Sequence, residues 1–296
     1  MRLYRAFETQ EEIDAEYDLE SVPDMNSYGE WMKESARSAR RDLAHERQIH
    51  YGPTVDEFID IFPSETPNSP VLVFIHGGWW RAMLSSDFHM VARGPVSLGM
   101  TVVMVNYSHC PKVSISEITR QNRAALAWTY HNISRFNGDP EAIFVSGHSA
   151  GGHQVGMLSV TDWVGAYGLP SDVIKGGIPI SGLFDLRPFR YSWLQPKLLL
   201  THETIARESP LFLVEQAPKL PPLLTTLGGD ESAEFHRQSS DFSDQWRLFG
   251  GEATGLDQPG KDHISAIAGF EDPGSTLCCA IKDFTNRIQS KRASFD

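Results

Sequence analysis

Unbroken apolar runs alternate with amphipathic segments along most of the chain, and their order points to an architecture. Residues 9–50 are polar with a helical period, and Tyr28, Trp31 and Met32 share one face at spacings of three and four. This predicts an N-terminal helical arm or cap over residues 1–50. Residues 54–62 carry Val55, Phe58, Ile59, Ile61 and Phe62 among acids and stop at Pro63, as an outer antiparallel strand would. Residues 70–75 are apolar after the opening proline, the mark of a strand buried on both faces of a largely parallel sheet. Beyond it the pattern predicts a helix over 86–98, a strand over 101–106 and a long helix over 114–136. A strand over 142–146 then leads into a helix that reaches about residue 160. A short strand follows at 177–181, then a less regular stretch rich in Pro, Phe and Trp at 183–216 that suits a lid or pocket wall. A strand at 221–228 and helices at 232–249 and 275–290 close the chain. This rhythm predicts an α/β fold in one domain, residues 1–296, with a mostly parallel twisted sheet and helices on both faces.

Composition narrows the partners. A chain of 296 residues with 41% hydrophobic content can bury a large core. Its formal net charge of -12 is the wrong sign for nucleic acid or an anionic membrane surface and favours a small-molecule substrate. Three cysteines, two of them adjacent (Cys278 and Cys279) and the third at Cys110, do not make a disulfide framework. With no apolar leader at the N-terminus and no apolar stretch of membrane-spanning length, the expected location is the cytoplasm. A homo-oligomer is compatible with this composition.

The strand at 142–146 runs straight into Gly147-His148-Ser149-Ala150-Gly151. A serine hydroxyl is a poor nucleophile unless a strained turn lifts it out of the sheet beside residues small enough to admit a substrate. Gly147 and Gly151 provide that room. A helix starting at Ala150 directs backbone N–H groups at the place where an oxyanion forms. His76-Gly77-Gly78 stands after the earlier buried strand, so the Gly77 and Gly78 N–H groups, with that of Ala150, are the expected oxyanion donors. Glycines there also suit an ordinary tight turn.

A base should follow late in the chain, on a loop, and His263 does so after the turn-rich residues 250–260. An acid should follow the strand that ends at Gly228. Asp230 and Glu231 stand side by side there, and residue type does not choose between two neighbours in a loop. The order oxyanion loop, serine, acid, histidine is that of a serine hydrolase on a wound α/β sheet.

Three stretches also resemble the kynurenine formamidase (arylformamidase) branch of the α/β-hydrolases. They are His76-Gly77-Gly78-Trp79-Trp80, Gly147-His148-Ser149-Ala150-Gly151-Gly152-His153, and the run from Gly228 to Ser239, with Asp262-His263 completing the set. The resemblance spans most of the chain and implies the α/β-hydrolase fold. It places the catalytic acid on Glu231, with Asp230 as the alternative. A glutamate where such enzymes usually carry aspartate is a departure, although the fold accepts either. The resemblance further implies hydrolysis of N-formyl-kynurenine or a related aryl formamide, with no metal and no cofactor. Close relatives that cleave small acyl esters make carboxylesterase the alternative.

Trp79, Trp80, Tyr107 and the aromatic residues from Phe189 to Trp193 are available to stack an aromatic substrate, or equally to fill the core. The sequence has no His-Glu-x-x-His, no paired-cysteine spacing and no dinucleotide fingerprint in its first βα unit.

Overall fold

A computed structural model describes residues 2–19 and 25–293. Among these residues eight strands form one sheet: β1 (Glu46–His50), β2 (Phe58–Phe62), β3 (Ser69–Ile75), β4 (Thr101–Val105), β5 (Gly138–His148), β6 (Ile174–Ile180), β7 (Leu223–Gly228) and β8 (Ala253–Gln258). Their order across the sheet is β1-β2-β4-β3-β5-β6-β7-β8. β1 and β2 are antiparallel, and every pairing from β4 to β8 is parallel.

The central strands are apolar at consecutive positions because both of their faces are covered. In β3, Val71, Val73 and Ile75 join one core while Leu72 and Phe74 join the other; Ile143 and Val145 of β5 likewise oppose Phe144. Helices α1 (Gln10–Glu16), α2 (Met25–Asp42), α3 (Ile115–Asn132), α4 (Ala150–Ser159), α5 (Ala233–Leu248) and α6 (Thr276–Ala293) cover the two faces. Ile118, Leu126, Val155 and Leu158 of α3 and α4 pack in the first core, and Leu277, Ile281 and Phe284 of α6 pack in the second. The fold is that of the α/β-hydrolases. All three cysteines are free thiols, and no helix among the described residues is long and apolar enough to cross a membrane.

Several boundaries differ from the sequence expectation. The expected helical arm ends at Asp42, and residues 46–50 form β1 instead. Edge pairing with β2 makes this strand while most of its side chains remain exposed, so no apolar alternation announces it. Residues 20–24 of the arm lie outside the described residues. The outer strand expected over 54–62 covers only Phe58–Phe62, with Val55 exposed. Residues 250–260 contain β8, another polar edge strand, rather than turns alone. The helix expected over 86–98 is a 3-10 stretch (Ser85–Ala92) and a short α-turn (Arg93–Ser97). Gly94 and Pro95 sit at that junction, where neither favours a continuous helix interior.

Candidate active site

The serine stands at the end of the sheet's central strand. Ser149 has φ 57° and ψ −118°, a left-handed backbone that a non-glycine residue adopts at a cost of about 1–3 kcal/mol. Its neighbours hold it there: Ser149 N–H donates to the Ile180 carbonyl (2.9 Å), and the Ser149 carbonyl accepts from His153 N–H as α4 begins (3.0 Å). A Cβ on Gly151 would collide with the Ile75 carbonyl, and one on Gly147 with the Gly151 carbonyl. Glycine is therefore required on both sides of the serine by backbone-to-backbone contact.

Parallel pairing of β3 with β5 sets Ile75 opposite Gly147, so the loop leaving β3 lies beside the elbow. In that loop Gly78, Trp79 and Trp80 all have positive φ, at 113°, 54° and 56°. The turn is closed by Arg81 and Ala82 N–H groups donating to the Gly78 carbonyl (both 3.0 Å). The loop is thus rigid and close to Ser149, as a preformed oxyanion site requires.

At the far side of the sheet, β7 and β8 deliver the acid and the base to one place. Gly228 is opposite Gln258, and Asp230 N–H donates to the Lys261 carbonyl (2.9 Å), which docks the acid turn on the histidine loop. His263 Nδ1 and Glu231 Oε2 are 2.6 Å apart, with both side chains almost wholly buried. The other carboxylate oxygen of Glu231 accepts from Gly228 N–H (2.7 Å) and Ser181 Oγ (2.5 Å). Asp230 is exposed and makes no hydrogen bond to the imidazole. His263 Nε2 is buried without a hydrogen-bond partner. With Nδ1–H given to the carboxylate, Nε2 carries the lone pair that a base needs.

Ser149 and His263 both line a cavity of about 680 Å³. The sequence-predicted aromatic residues separate here. Trp79 is half-buried on the cavity wall, edge-on to Trp193 at 6.0 Å between ring centroids. Trp80 and Tyr107, expected to bind substrate, are instead fully buried and absent from the cavity wall. Trp80 Nε1–H donates to His153 Nδ1 (3.2 Å). Tyr107 lies flat on His76 at 4.2 Å and donates its hydroxyl to the His76 carbonyl (2.8 Å). Both pack beneath the loop, Trp80 against Phe189 and His153 and Tyr107 against His76.

The stretch at 183–216 contributes Trp193 to the cavity, while Leu183, Leu186, Phe189 and Leu194 pack in the core. The N-terminal arm supplies much of the rest of the lining, through Asp14, Asp18, Tyr28 and Met32 among others, and Trp193 backbone N–H donates to Asp14 (2.9 Å). The arm is fastened next to the His263–Glu231 pair: Tyr28 Oη donates to Asp262 (2.7 Å), and Tyr17 Oη donates to Glu234 (2.9 Å). Tyr28 and Met32 were visible as one helix face in the sequence, but nothing there connected that face to the serine. Ser181, bonded to Glu231, and His148, bonded to the His263 carbonyl, had no separate signal.

Four buried histidines are shifted. Burial pushes His76 down to about 3 and His153 to about 4. Burial, with the neighbouring His263 adding to it, holds His148 well below the ordinary histidine range. Burial also lowers His89, against the opposing pull of Asp60.

The chain is similar to hydrolases of known kinds. The family model described as BD-FAE matches residues 59–169. A kynurenine formamidase of Danio rerio is 28% identical over 249 residues, covering 82% of each chain. Esterase LipC of Mycobacterium tuberculosis is 24% identical over 86% of this chain and 68% of its own length. The crystal structure of a protein assigned as a thioesterase, from Silicibacter sp. TM1040, superposes with a TM-score of 0.81 at 28% identity, over 91% of this chain and 98% of that one.

Proposed function

We propose that the chain, which has the α/β-hydrolase fold and is similar to kynurenine formamidases and esterases, is a serine hydrolase cleaving a small aryl formamide such as N-formyl-kynurenine. The observation that carries the reading is the buried 2.6 Å His263–Glu231 pair, whose imidazole, with Nε2 unpartnered, lines the same cavity as the strained Ser149.

In this reading His263 Nε2 takes the Ser149 proton as Oγ attacks the formyl carbon. The carbonyl π pair moves onto oxygen, where the Gly77, Gly78 and Ala150 N–H groups receive it. Collapse breaks the C–N bond, and His263 returns its proton to the departing arylamine. Water then attacks the acyl serine by the same route and releases formate. Glu231 fixes the imidazole tautomer throughout. These groups supply nucleophile, base and oxyanion stabilisation, so the reaction calls for no metal or cofactor.

The cavity supports an aromatic substrate with charged ends. Trp79 and Trp193 give it an aromatic wall. Its lining also includes Asp14, Asp18 and Arg81, whose guanidinium stacks over Trp193 at 5.0 Å. An amino acid bears charges of both signs and suits such a lining better than a neutral acyl chain does. The three thiols, all free, suit a reducing cytoplasm.

Carboxylesterase activity is the second reading, favoured by the similarity to LipC, and the same triad and oxyanion donors serve it. Steady-state kinetics of the purified protein with N-formyl-kynurenine and with short-chain aryl esters decides between them. A higher kcat/KM on the formamide is expected, and turnover confined to the esters overturns the first reading.

A further inference from the structure

His148 belongs to the elbow motif, yet its side chain serves the base. The ring is buried and lies 4.6 Å from the His263 ring, tilted by 42°. Its Nε2 is 2.8 Å from the backbone carbonyl oxygen of His263. A carbonyl can only accept, so Nε2 bears the hydrogen, and Nδ1, which has no partner, bears the lone pair. The residue preceding the nucleophile therefore ties down the main chain of the residue that deprotonates it. On the other flank, a Cβ placed on Gly77 would lie 3.3 Å from His148 Nδ1 and 3.2 Å from Ser149 Cβ. One imidazole is thus wedged between the oxyanion loop, the elbow and the histidine loop.

We propose that His148 is a positioning residue that holds His263 on the leaving-group side of the scissile bond, and so equips the site for amides as well as esters. The inference rests on the hydrolase reading above and adds a reason for amide competence. An ester of an acidic phenol expels its leaving group unprotonated, so in acylation it asks of His263 only that it activate Ser149, and deacylation is the same step for both substrate classes. An arylamine cannot depart as the anion. His263 must also deliver its proton to the nitrogen as the C–N bond breaks, and that second task depends closely on where Nε2 sits. The tether from His148 fixes this position through the backbone of His263 itself. No proton passes through His148.

The test compares H148Q with H148N, both neutral and polar. The longer glutamine places an amide N–H where Nε2–H stood, whereas asparagine is too short to reach the His263 carbonyl. Kinetics are measured with N-formyl-kynurenine and with p-nitrophenyl acetate, and thermal melts establish that each variant is folded. The expected result is that H148N loses about 10- to 100-fold in kcat on the formamide with KM little changed, and far less on the ester. H148Q should stay close to the parent on both. Equal losses on the two substrates, or glutamine no better than asparagine, overturn the proposal, as does failure of both variants to fold. A parent enzyme without formamide turnover instead overturns the reading beneath it, and this is seen before any variant is made.

Discussion

The Glu231 carboxylate receives the His263 imidazole at 2.6 Å, while the adjacent Asp230 is exposed and makes no contact with the ring. One position decides this, because the turn after β7 aims Glu231 inward onto Gly228 N–H and Ser181 Oγ. E231Q keeps the shape of the side chain but gives the imidazole an N–H that favours the wrong tautomer. A fall in kcat of about 10³–10⁴ is expected, by analogy with other triads. D230N should leave kcat nearly unchanged. Steady-state kinetics of the two variants checks the assignment, and the reverse pattern would move the acid to Asp230.

Ser149 is held by its backbone rather than by its hydroxyl, since the hydrogen bonds that fix it run from its N–H to Ile180 and to its carbonyl from His153. S149A should therefore abolish turnover and phosphonate labelling while the melting temperature stays within a few degrees of the parent. Residual turnover above a few per cent would assign the nucleophile elsewhere.

How far the sequence disclosed this site depends on what burial does to each residue. β3 and β5 were legible because strands covered on both faces must be apolar at consecutive positions. β1 and β8 were not, because an edge strand gains its order from one neighbour and leaves polar side chains in water. That Ser149 and His263 would meet at one cavity followed from chain order. The acid did not, since two adjacent carboxylates differ only in the direction their turn gives them. The cavity wall was the least legible part. The acidic residues of α1 have the pattern of a solvated face, and only the packing of the arm against the His263 loop brings that face to the cavity that Ser149 lines.

Trp79 and Trp80 are neighbours in sequence and both touch Phe189, but only Trp79 reaches the cavity, and they should respond differently to truncation. W79A opens the cavity wall beside Trp193 and should raise KM for an aromatic substrate several-fold with kcat less affected. W80A empties a core site packed against Phe189 and removes the donor to His153. A loss of about 3–5 kcal/mol in stability is expected for it. Kinetics for the first and urea denaturation for the second separate the roles, and a stable W80A with raised KM would return Trp80 to the substrate site.

Three of the buried histidines give stability a direction in pH. His76, at about 3, His153, at about 4, and His148, well below the ordinary range, stay neutral in the fold, while in the unfolded chain each titrates near ~6.5. Above that pH neither state binds their protons, and they add no slope. As pH falls below it, the unfolded chain gains protons that the fold refuses, so stability declines by roughly 1.4 kcal/mol per pH unit for each such histidine. The loss continues until the folded values are reached. The carboxylates held below their usual range act in the same direction at lower pH. For Asp185, burial raises the carboxyl, but Arg187 and Tyr4 outweigh it, so that contribution is lost only as pH falls below about 4. Urea midpoints should therefore be level between pH 7 and 8 and fall steadily from pH 6.5 to 4.5. A midpoint unchanged over that lower interval would mean that these histidines accept protons within the fold.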